Sequence, residues 1–402
     1  MNYRHTIFYV LLSGVMLVVG ACSSRQTERR PVDPRVRALL LQAEQALQHY
    51  DFARALALAD SAAHYDPDEP AIYFLQGRLY AEMAQFNRAE AAYQEVLQRD
   101  PNFRGIWHNL ANLKARQHRF REAVALYQKE LQRYPGAPTW QAMARAYREL
   151  GVVDSAAYAY WQALQLDSTY VPAYIGMTQL LDDEGRFAEA LAYAQRAQAL
   201  DPDNPETNYL LGELLMKNGR FAEALPYLQR VVEAWPWHAG AHYSLGQALL
   251  RVGRREEGEA ALQRYEQLRE LNAQVQMLEE AVRTTPDNPY AFAALGAALR
   301  RSGRYEEALQ AYTIALFLSP DNPEILNNLA ALYFVQGDTL AAMQTYRRAL
   351  QADSTFIDAW LNLGVLHALR GERAAAAHAW RQVLRYDPQH EAARRYLARL
   401  QQ

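Results

Sequence analysis

The sequence predicts an all-α protein, an α-solenoid of about ten helix pairs with a C-terminal capping helix. Two periodic markers carry this prediction. A turn marker, Asp-Pro or its equivalent, recurs in steps of 34, 34, 33, 34, 34, 50, 34, 34 and 34 residues. A glycine recurs with the same period and has its 50-residue step at the same place. Two turn residues in one phase indicate a repeat array. The turn markers are Pro67, Pro101, Pro135, Ser168, Pro202, Pro236, Pro286, Pro320, Ser354 and Pro388, and the glycines are Gly151, Gly185, Gly219, Gly253, Gly303, Gly337 and Gly371.

Each repeat is predicted to contain two amphipathic helices. In one unit, Trp107, Leu110 and Ala111 give a first apolar face, and Ala123 and Tyr127 give a second before the next proline. The recurring glycine lies between the helices, where a positive φ ends the first helix at little steric cost. Small residues stand where the two helices must approach closely. The equivalent pairs are Gly77 with Ala89, Gly212 with Ala224, Gly296 with Ala308 and Gly364 with Ala376.

The pattern resembles the tetratricopeptide repeat (TPR) family over about residues 36–388. The resemblance implies a right-handed solenoid, in which neighbouring helix pairs bury the faces that one pair cannot bury alone. Residues 36–253 would form units 1 to 7, the seventh only in its first part, and residues 289–390 would form units 8 to 10. The capping helix would occupy residues 391–402.

The N-terminal residues predict a lipid-anchored protein. An apolar run over residues 7–19 is too short to span a bilayer, which needs about 20 residues. It suits the core of a secretory signal, and the only cysteine of the chain, Cys22, follows Gly20 and Ala21. Residues 1–21 therefore resemble a bacterial lipoprotein signal peptide, with Cys22 as the lipidation site. An ordinary signal peptide or a signal anchor is the alternative. Residues 22–35 are predicted to be a flexible tether.

The 50-residue step marks an irregular segment, residues 254–288. From Arg254 to Val282 there is no proline, and apolar residues recur every three or four positions. This spacing predicts one long helix of about 28 residues. A degenerate half repeat broken by a kink is the alternative. We hypothesise that the segment extends an apolar stripe past its neighbouring helices and forms a surface for a partner or for self-association.

The resemblance also implies where a ligand binds, because first helices in this family line a concave groove that holds peptide segments. Amide side chains suit a peptide backbone, since each offers a donor and an acceptor. Asn109, Asn328 and Asn362 share one column and are the leading candidates, although asparagines that only solvate a helix remain an alternative. Chaperone-binding members of this family use lysines in a clamp that binds a terminal carboxylate. Phe74 and Pro138 occupy the equivalent positions here, so the resemblance does not predict a C-terminal carboxylate as the ligand. The groove residues expected are His108, Asn109, Asn112, Gln141, Arg145, Arg148, Gln179, Tyr209, Tyr243, Gln247, Arg300, Arg301, Asn327, Asn328 and Asn362.

The composition argues against several functions. A net charge of −3 provides no field for nucleic acid, and one cysteine excludes an intrachain disulfide. His238 and His242 have i, i+4 spacing, but no third metal ligand is evident nearby. No phosphate loop, nucleophile elbow or HExxH motif occurs. We therefore expect no enzyme activity, no metal and no cofactor. An enzyme site hidden in the groove remains an alternative.

Trp235 and Trp237 flank Pro236 outside the regular pattern. They would form either an exposed contact patch or a cover for the turn. As an exposed patch they would favour a further alternative, a glycan-binding module. The leading prediction is a lipid-anchored scaffold that binds protein or peptide partners in bacterial envelope assembly, such as pilus, secretion or outer-membrane biogenesis, or recruitment of cell-wall enzymes. It would be an outer-membrane lipoprotein facing the periplasm, or would lie on the outer face of a single membrane.

Overall fold

A computed structural model describes residues 32–400, and this part of the chain is built entirely of helices and turns. Every helix pair except the seventh fits the period seen in the sequence. The helices are α1 (Pro34–Gln48), α2 (Phe52–Tyr65), α3 (Pro70–Glu82), α4 (Phe86–Arg99), α5 (Ile106–Arg116), α6 (Phe120–Arg133), α7 (Ala137–Glu149), α8 (Val153–Leu166), α9 (Val171–Asp183), α10 (Phe187–Leu200), α11 (Pro205–Lys217), α12 (Phe221–Ala234), α13 (Ala239–Arg251), α14 (Arg255–Thr284), α15 (Pro289–Ser302), α16 (Tyr305–Leu318), α17 (Pro323–Val335), α18 (Thr339–Ala352), α19 (Ile357–Leu369), α20 (Arg373–Tyr386) and α21 (Glu391–Leu400).

Each odd-numbered helix packs against the even-numbered helix that follows it, which makes ten units. Unit 1 is α1 with α2, and unit 10 is α19 with α20. The last helix, α21, covers the end of the array, where Ala393 is buried and the Tyr396 ring lies 5.0 Å from the Trp380 ring. The predicted solenoid of about ten helix pairs with a cap is therefore confirmed. The first helix begins at Pro34, inside the predicted tether, because Asp33 caps its N-terminus.

Successive first helices also contact each other. Helix α3 contacts α5, α7 contacts α9, and α11 contacts α13, whereas second helices pack chiefly against first helices. Helices that touch their equivalents in the next unit lie on the inside of a curved array. The first helices therefore form the inner, concave layer, and the second helices form the outer layer.

The recurring glycines end the first helices as predicted. All seven glycines have positive φ, between 72° and 86°. The first three units lack this glycine, and Tyr50, Ala84 and His118 occupy the same place with φ of 57° or 58°. The turn therefore keeps its left-handed backbone even where a side chain makes that conformation costly.

Helix α14 is a single uninterrupted helix of 30 residues. Its apolar stripe faces the chain itself: Leu268 and Val275 are fully buried, while Leu278 and Val282 pack against the core of the units that follow. The stripe therefore packs within the array and does not extend past the neighbouring helices, and an association through residues 254–288 stays a prediction. The stripe is used to join the core of units 3 to 7, which includes Ala261, to the core that includes Val275.

The array curves until its beginning meets its later units. Helix α2 contacts α16, and the Gln310 Nε2 atom donates a hydrogen bond of 3.3 Å to Glu82 Oε2 across 228 positions of sequence. One hydrophobic core holds residues of units 1 and 2, such as Phe52 and Met83, together with residues of units 8 to 10. We call this contact the seam. The sequence period predicts contacts between neighbouring units, but it does not predict the seam.

Candidate functional site

The inner layer of first helices forms a groove, and its polar side chains are bonded from one unit to the next. In units 4 to 6, the Arg148 guanidinium donates to the Gln179 side-chain oxygen, and Gln179 Nε2 donates to Glu206 Oε1 at 3.0 Å. One step further along, Lys217 pairs with Asp182 at 2.6 Å. These bonds hold Arg148 and Gln179, both predicted groove residues, in a fixed polar array along three successive helices.

The asparagine column is only partly available to a ligand. The Asn109 amide donates to the Gly105 carbonyl in its own first turn, and Asn112 accepts from the Tyr127 hydroxyl at 2.6 Å. Asn362 donates to Asn327 at 3.1 Å, which links units 9 and 10. Asn328 is half-buried, and its side chain makes no hydrogen bond within the described residues. The structure thus brings Asn327 and Asn362 together, whereas Asn109 serves its own helix.

Two predicted residues lie deeper than a groove surface requires. Gln141 is buried. His108 is packed beside the Tyr127 ring, and its Nδ1 atom lies 3.0 Å from the Thr139 hydroxyl. Burial lowers the pKa of His108 to about 4, so its imidazole is neutral at physiological pH. His108 therefore links unit 3 to unit 4.

The middle of the groove, in units 6 and 7, contains a buried carboxylate. Burial raises the pKa of Glu213, and a hydrogen bond with Ser244 and the Lys217 charge offset part of this rise. The Glu213 Oε1 atom is buried without a hydrogen-bond partner in the described part of the chain. The Tyr209 ring lies 4.5 Å from the His238 ring, and burial raises its pKa as well. Ser244 was missed in the sequence, because an isolated serine carries no pattern.

Several predicted groove residues remain exposed or free. Arg145 is exposed, and Gln247 makes no hydrogen bond within residues 32–400. Tyr243 is 46% exposed, with its ring 5.1 Å from that of Tyr265 on α14. These three side chains lie on α7 and α13, on either side of the bonded array.

The arginine pair of unit 8 is divided between two environments. Arg301 donates to Gln274 Oε1 on α14 at 3.1 Å. Arg300 lies close enough to Tyr312 to lower the pKa of that phenol, against a larger rise caused by burial. Arg300 therefore belongs to the packing of unit 8, whereas Arg301 stays at the surface beside the long helix.

The aromatic cluster around Pro236 covers a turn. The Trp235 ring is stacked on Trp237 at 5.5 Å and on His238 at 5.9 Å, and Arg304 lies 5.3 Å from the Trp237 ring. His238 caps α13 by accepting from the Ala241 amide. Of the two interpretations of this pair, the structure supports the cover. Because both tryptophans are half-buried in this stack, it offers no open platform for a sugar ring.

Residues 32–400 lack two features, a membrane-spanning helix and a metal-binding cluster. None of the helices in residues 32–400 combines the length and the hydrophobicity that a membrane span requires. The same residues contain no group of three or more histidine, cysteine or acidic side chains placed to hold a metal ion. The predicted lipidation site, Cys22, lies outside the described residues, as do residues 1–21.

A curved array of helix pairs with a polar inner groove defines the class of protein: an α-solenoid of the kind that serves as a scaffold for protein–protein interactions. Family profiles agree with this class. Two described as tetratricopeptide repeat match residues 46–116 and 323–356, and one described as TPR repeat matches residues 298–337. A fourth, described as anaphase-promoting complex, cyclosome, subunit 3, matches residues 183–265. The chain is a tetratricopeptide repeat protein.

Three solved structures are similar to parts of this chain at low identity. MamA has 22% identity and a TM-score of 0.37, with 41% of this chain and 96% of MamA covered. PilW, a widely conserved type IV pilus biogenesis factor, has 17% identity and a TM-score of 0.47, with 54% and 99% covered. YrrB, a TPR protein with an unusual peptide-binding site, has 19% identity and a TM-score of 0.29, with 61% and 97% covered. No protein with a curated description matches the sequence.

Proposed function

We propose that this chain is a non-enzymatic scaffold of the bacterial envelope, which binds a segment of a partner protein in its inner groove and is held to a membrane by a lipid on Cys22. The groove part of the proposal rests on one observation. Side chains of successive first helices, from Arg148 through Gln179 to Glu206, are already bonded into an array. A ligand that runs along these helices meets polar groups that need no further ordering, which reduces the entropic cost of binding.

The free side chains beside the hydrogen-bonded chain from Arg148 to Glu206 are the contacts that the partner would use. Arg145, Tyr243 and Gln247 supply a cation, an aromatic ring and an amide, which together suit a mixed polar and apolar peptide segment. Nearby, the buried Glu213 carboxylate has one oxygen without a partner.

The groove proposal is tested by capture from a bacterial envelope extract with the chain lacking residues 1–21. A triple variant, Arg145→Ala, Tyr243→Ala and Gln247→Ala, removes exposed or free groups, so the fold should remain intact. We expect partner recovery, measured by quantitative mass spectrometry, to fall at least about tenfold, because a few central contacts carry most binding energy. The matched control changes the same residue types on the second helix α20: Arg385→Ala, Tyr386→Ala and Gln382→Ala. Equal recovery with the groove variant and the wild type would refute the groove.

The anchor proposal rests on the sequence Val19-Gly20-Ala21-Cys22 after the apolar run. The Cys22→Ser variant should lose incorporation of labelled palmitate and move from the membrane fraction to the soluble fraction. Ser23→Ala is the control and should remain in the membrane fraction. If Cys22→Ser stays with the membrane, the apolar run itself is the anchor and the lipoprotein proposal fails.

A further inference from the structure

The outer surface carries an open cleft of about 510 Å³ between α6 and α8, on a face different from the inner groove. Its floor comes from Trp140, Met143 and Tyr147 of α7, spaced by three and four residues. The groove-facing positions of the same helix, Gln141, Arg145 and Arg148, follow the floor residues by one, two and one positions, so they are turned away from the floor by at least about 100°. The cleft is a second surface, and its function does not depend on the groove.

The floor of the cleft is apolar and one wall is aromatic. Met143 and Leu131 are buried beneath it, with Trp140 half-buried beside them. Tyr158 stands at the wall, 55% exposed, with its ring at 83° to the Trp140 ring and 6.0 Å from it. Trp161 follows one turn later, 47% exposed. Large aromatic rings left open to water side by side are uncommon on a solvated surface and mark a contact site.

The polar groups at the rim are free to bind. Gln132, Asp154 and the Trp140 indole N–H have no hydrogen-bond partner within residues 32–400, and Gln128 makes only a long bond of 3.4 Å to the Tyr147 hydroxyl. Asp154 is the one acidic or basic side chain among the residues that line the cleft. The cleft therefore offers hydrogen-bond donors for carbonyl groups and a single negative charge for a cation.

We propose that this cleft binds a proline-rich peptide segment that carries an arginine or lysine. A polyproline II segment has no internal hydrogen bonds, so its carbonyl groups accept from indole and amide N–H groups such as those of Trp140 and Gln132. Its rings fit the corner that two perpendicular aromatic side chains form, and its stiffness lowers the entropic cost of binding. The basic residue pairs with Asp154.

The apolar floor of the cleft favours a peptide over a neutral sugar chain. A saccharide carries hydroxyl groups around its ring, and those above Met143 and Leu131 would lose water without gaining a partner, which is unfavourable. A proline or leucine side chain has no such groups and gains by covering the exposed Tyr158 ring and the half-buried Trp140 ring. The peptide therefore satisfies both the floor and the rim.

The proposal is tested on an array of decapeptides, each with a polyproline core, one leucine and one arginine at varied positions. Matched arrays carry glutamate in place of arginine, or alanine in place of the prolines. We expect the chain to bind the arginine peptides at least about tenfold more tightly than either matched set, as measured by fluorescence anisotropy on the best sequences. Tyr158→Ala should weaken this binding about tenfold, and Asp154→Asn should remove the preference for arginine over glutamate.

Tyr65→Ala is the matched control, because Tyr65 is a similarly exposed aromatic residue, 48% exposed, on the second helix α2, and it does not line the cleft. It should bind the same peptides within about twofold of the wild type. The proposal is overturned if no arginine peptide binds more tightly than its glutamate counterpart, or if Tyr158→Ala binds as the wild type does. It is also overturned if chitohexaose binds in a Tyr158-dependent manner while the peptides do not.

Discussion

At the scale of single residues, aromatic rings from the second helices explain why the first helices need small residues. A Cβ atom on Gly77 would lie 2.3 Å from the Tyr93 ring, and one on Gly364 would lie 2.3 Å from the Trp380 indole nitrogen. Tyr93 is itself fully buried. The sequence predicts small residues at these positions, but it assigns the close approach to Ala89 and Ala376. The sequence period predicts which positions carry a small residue. The structure shows that a larger residue there would clash with the Tyr93 or Trp380 ring.

We expect Gly77→Ala to destabilise the fold. The Tyr93 ring is enclosed on all sides and cannot move away without displacing its neighbours, and overpacking of this kind costs about 1–3 kcal/mol. The gain in helix propensity from glycine to alanine, about 1 kcal/mol, offsets part of the cost. Gly136→Ala is the control, because a Cβ there meets nothing closer than 3.9 Å. Chemical denaturation should show a loss for Gly77→Ala alone; equal stability of both variants would contradict the packing argument.

A second residue-scale prediction concerns the buried Glu213. Because burial raises its pKa in the folded chain above the unfolded value of 4.5, its contribution to stability is full below that pH and is lost as the pH rises through the folded pKa. Glu213→Gln removes the charge. The melting temperature of the variant relative to the wild type should therefore increase as the pH is raised from 4 to 8.

The control for this experiment is Glu223→Gln. The Arg220 hydrogen bond lowers the pKa of Glu223, so its contribution has the opposite sign and is lost as the pH falls. The difference in melting temperature between this variant and the wild type should therefore not increase with pH. A difference for Glu213→Gln that stays constant from pH 4 to 8 would show that the carboxylate is not buried in solution.

At the scale of elements, α14 shows that a longer helix can be absorbed into the packing of a solenoid. Ala261 belongs to one hydrophobic core and Val275 to the next, with Leu268 buried between them. The helix therefore joins two parts of the array that the 50-residue step separates in sequence. The sequence predicts its length correctly, because the apolar spacing is regular and no proline interrupts it.

We expect Leu268→Ala to destabilise the chain by about 2–5 kcal/mol, the usual cost of truncating a buried leucine. The matched control is Met277→Ala on the same helix, where the side chain is 65% exposed and the change should stay within about 0.5 kcal/mol. Denaturant unfolding curves give both values. If the two variants lose equal stability, α14 is not fixed between the two cores.

The groove illustrates which part of a site a sequence can predict. Positions on the first helices follow from the period, so the inner face could be assigned from residue number alone. Which side chains remain free could not, because that depends on neighbours one unit away. Gln179 bonds with Arg148 and Glu206, and Asn362 bonds with Asn327. Each amide looks equally available in the sequence.

At the scale of the whole molecule, the seam changes how the array behaves. An open solenoid has only neighbour contacts, so its end units unfold independently of distant ones. Here the Glu82 and Gln310 side chains meet, and residues of units 1 and 2 share a core with units 8 to 10. This contact depends on the summed rotation of seven units. Small changes in each unit add up over that length, which is why local sequence patterns do not reveal it.

The seam predicts a coupling between distant helices that hydrogen exchange can measure. Gln310→Glu would place a second carboxylate against Glu82, with Glu306 and Glu307 on the same helix, and like charges at this distance repel. Gln310→Lys would form an ion pair with Glu82 instead. We expect faster amide exchange in α1 to α3 and in α16 for Gln310→Glu, and wild-type exchange or slower for Gln310→Lys. Helices α9 to α11 lie outside the seam and should not change in either variant. If α1 to α3 exchange at the same rate in both variants, the two ends of the array are not in contact in solution, and its units are coupled only to their neighbours.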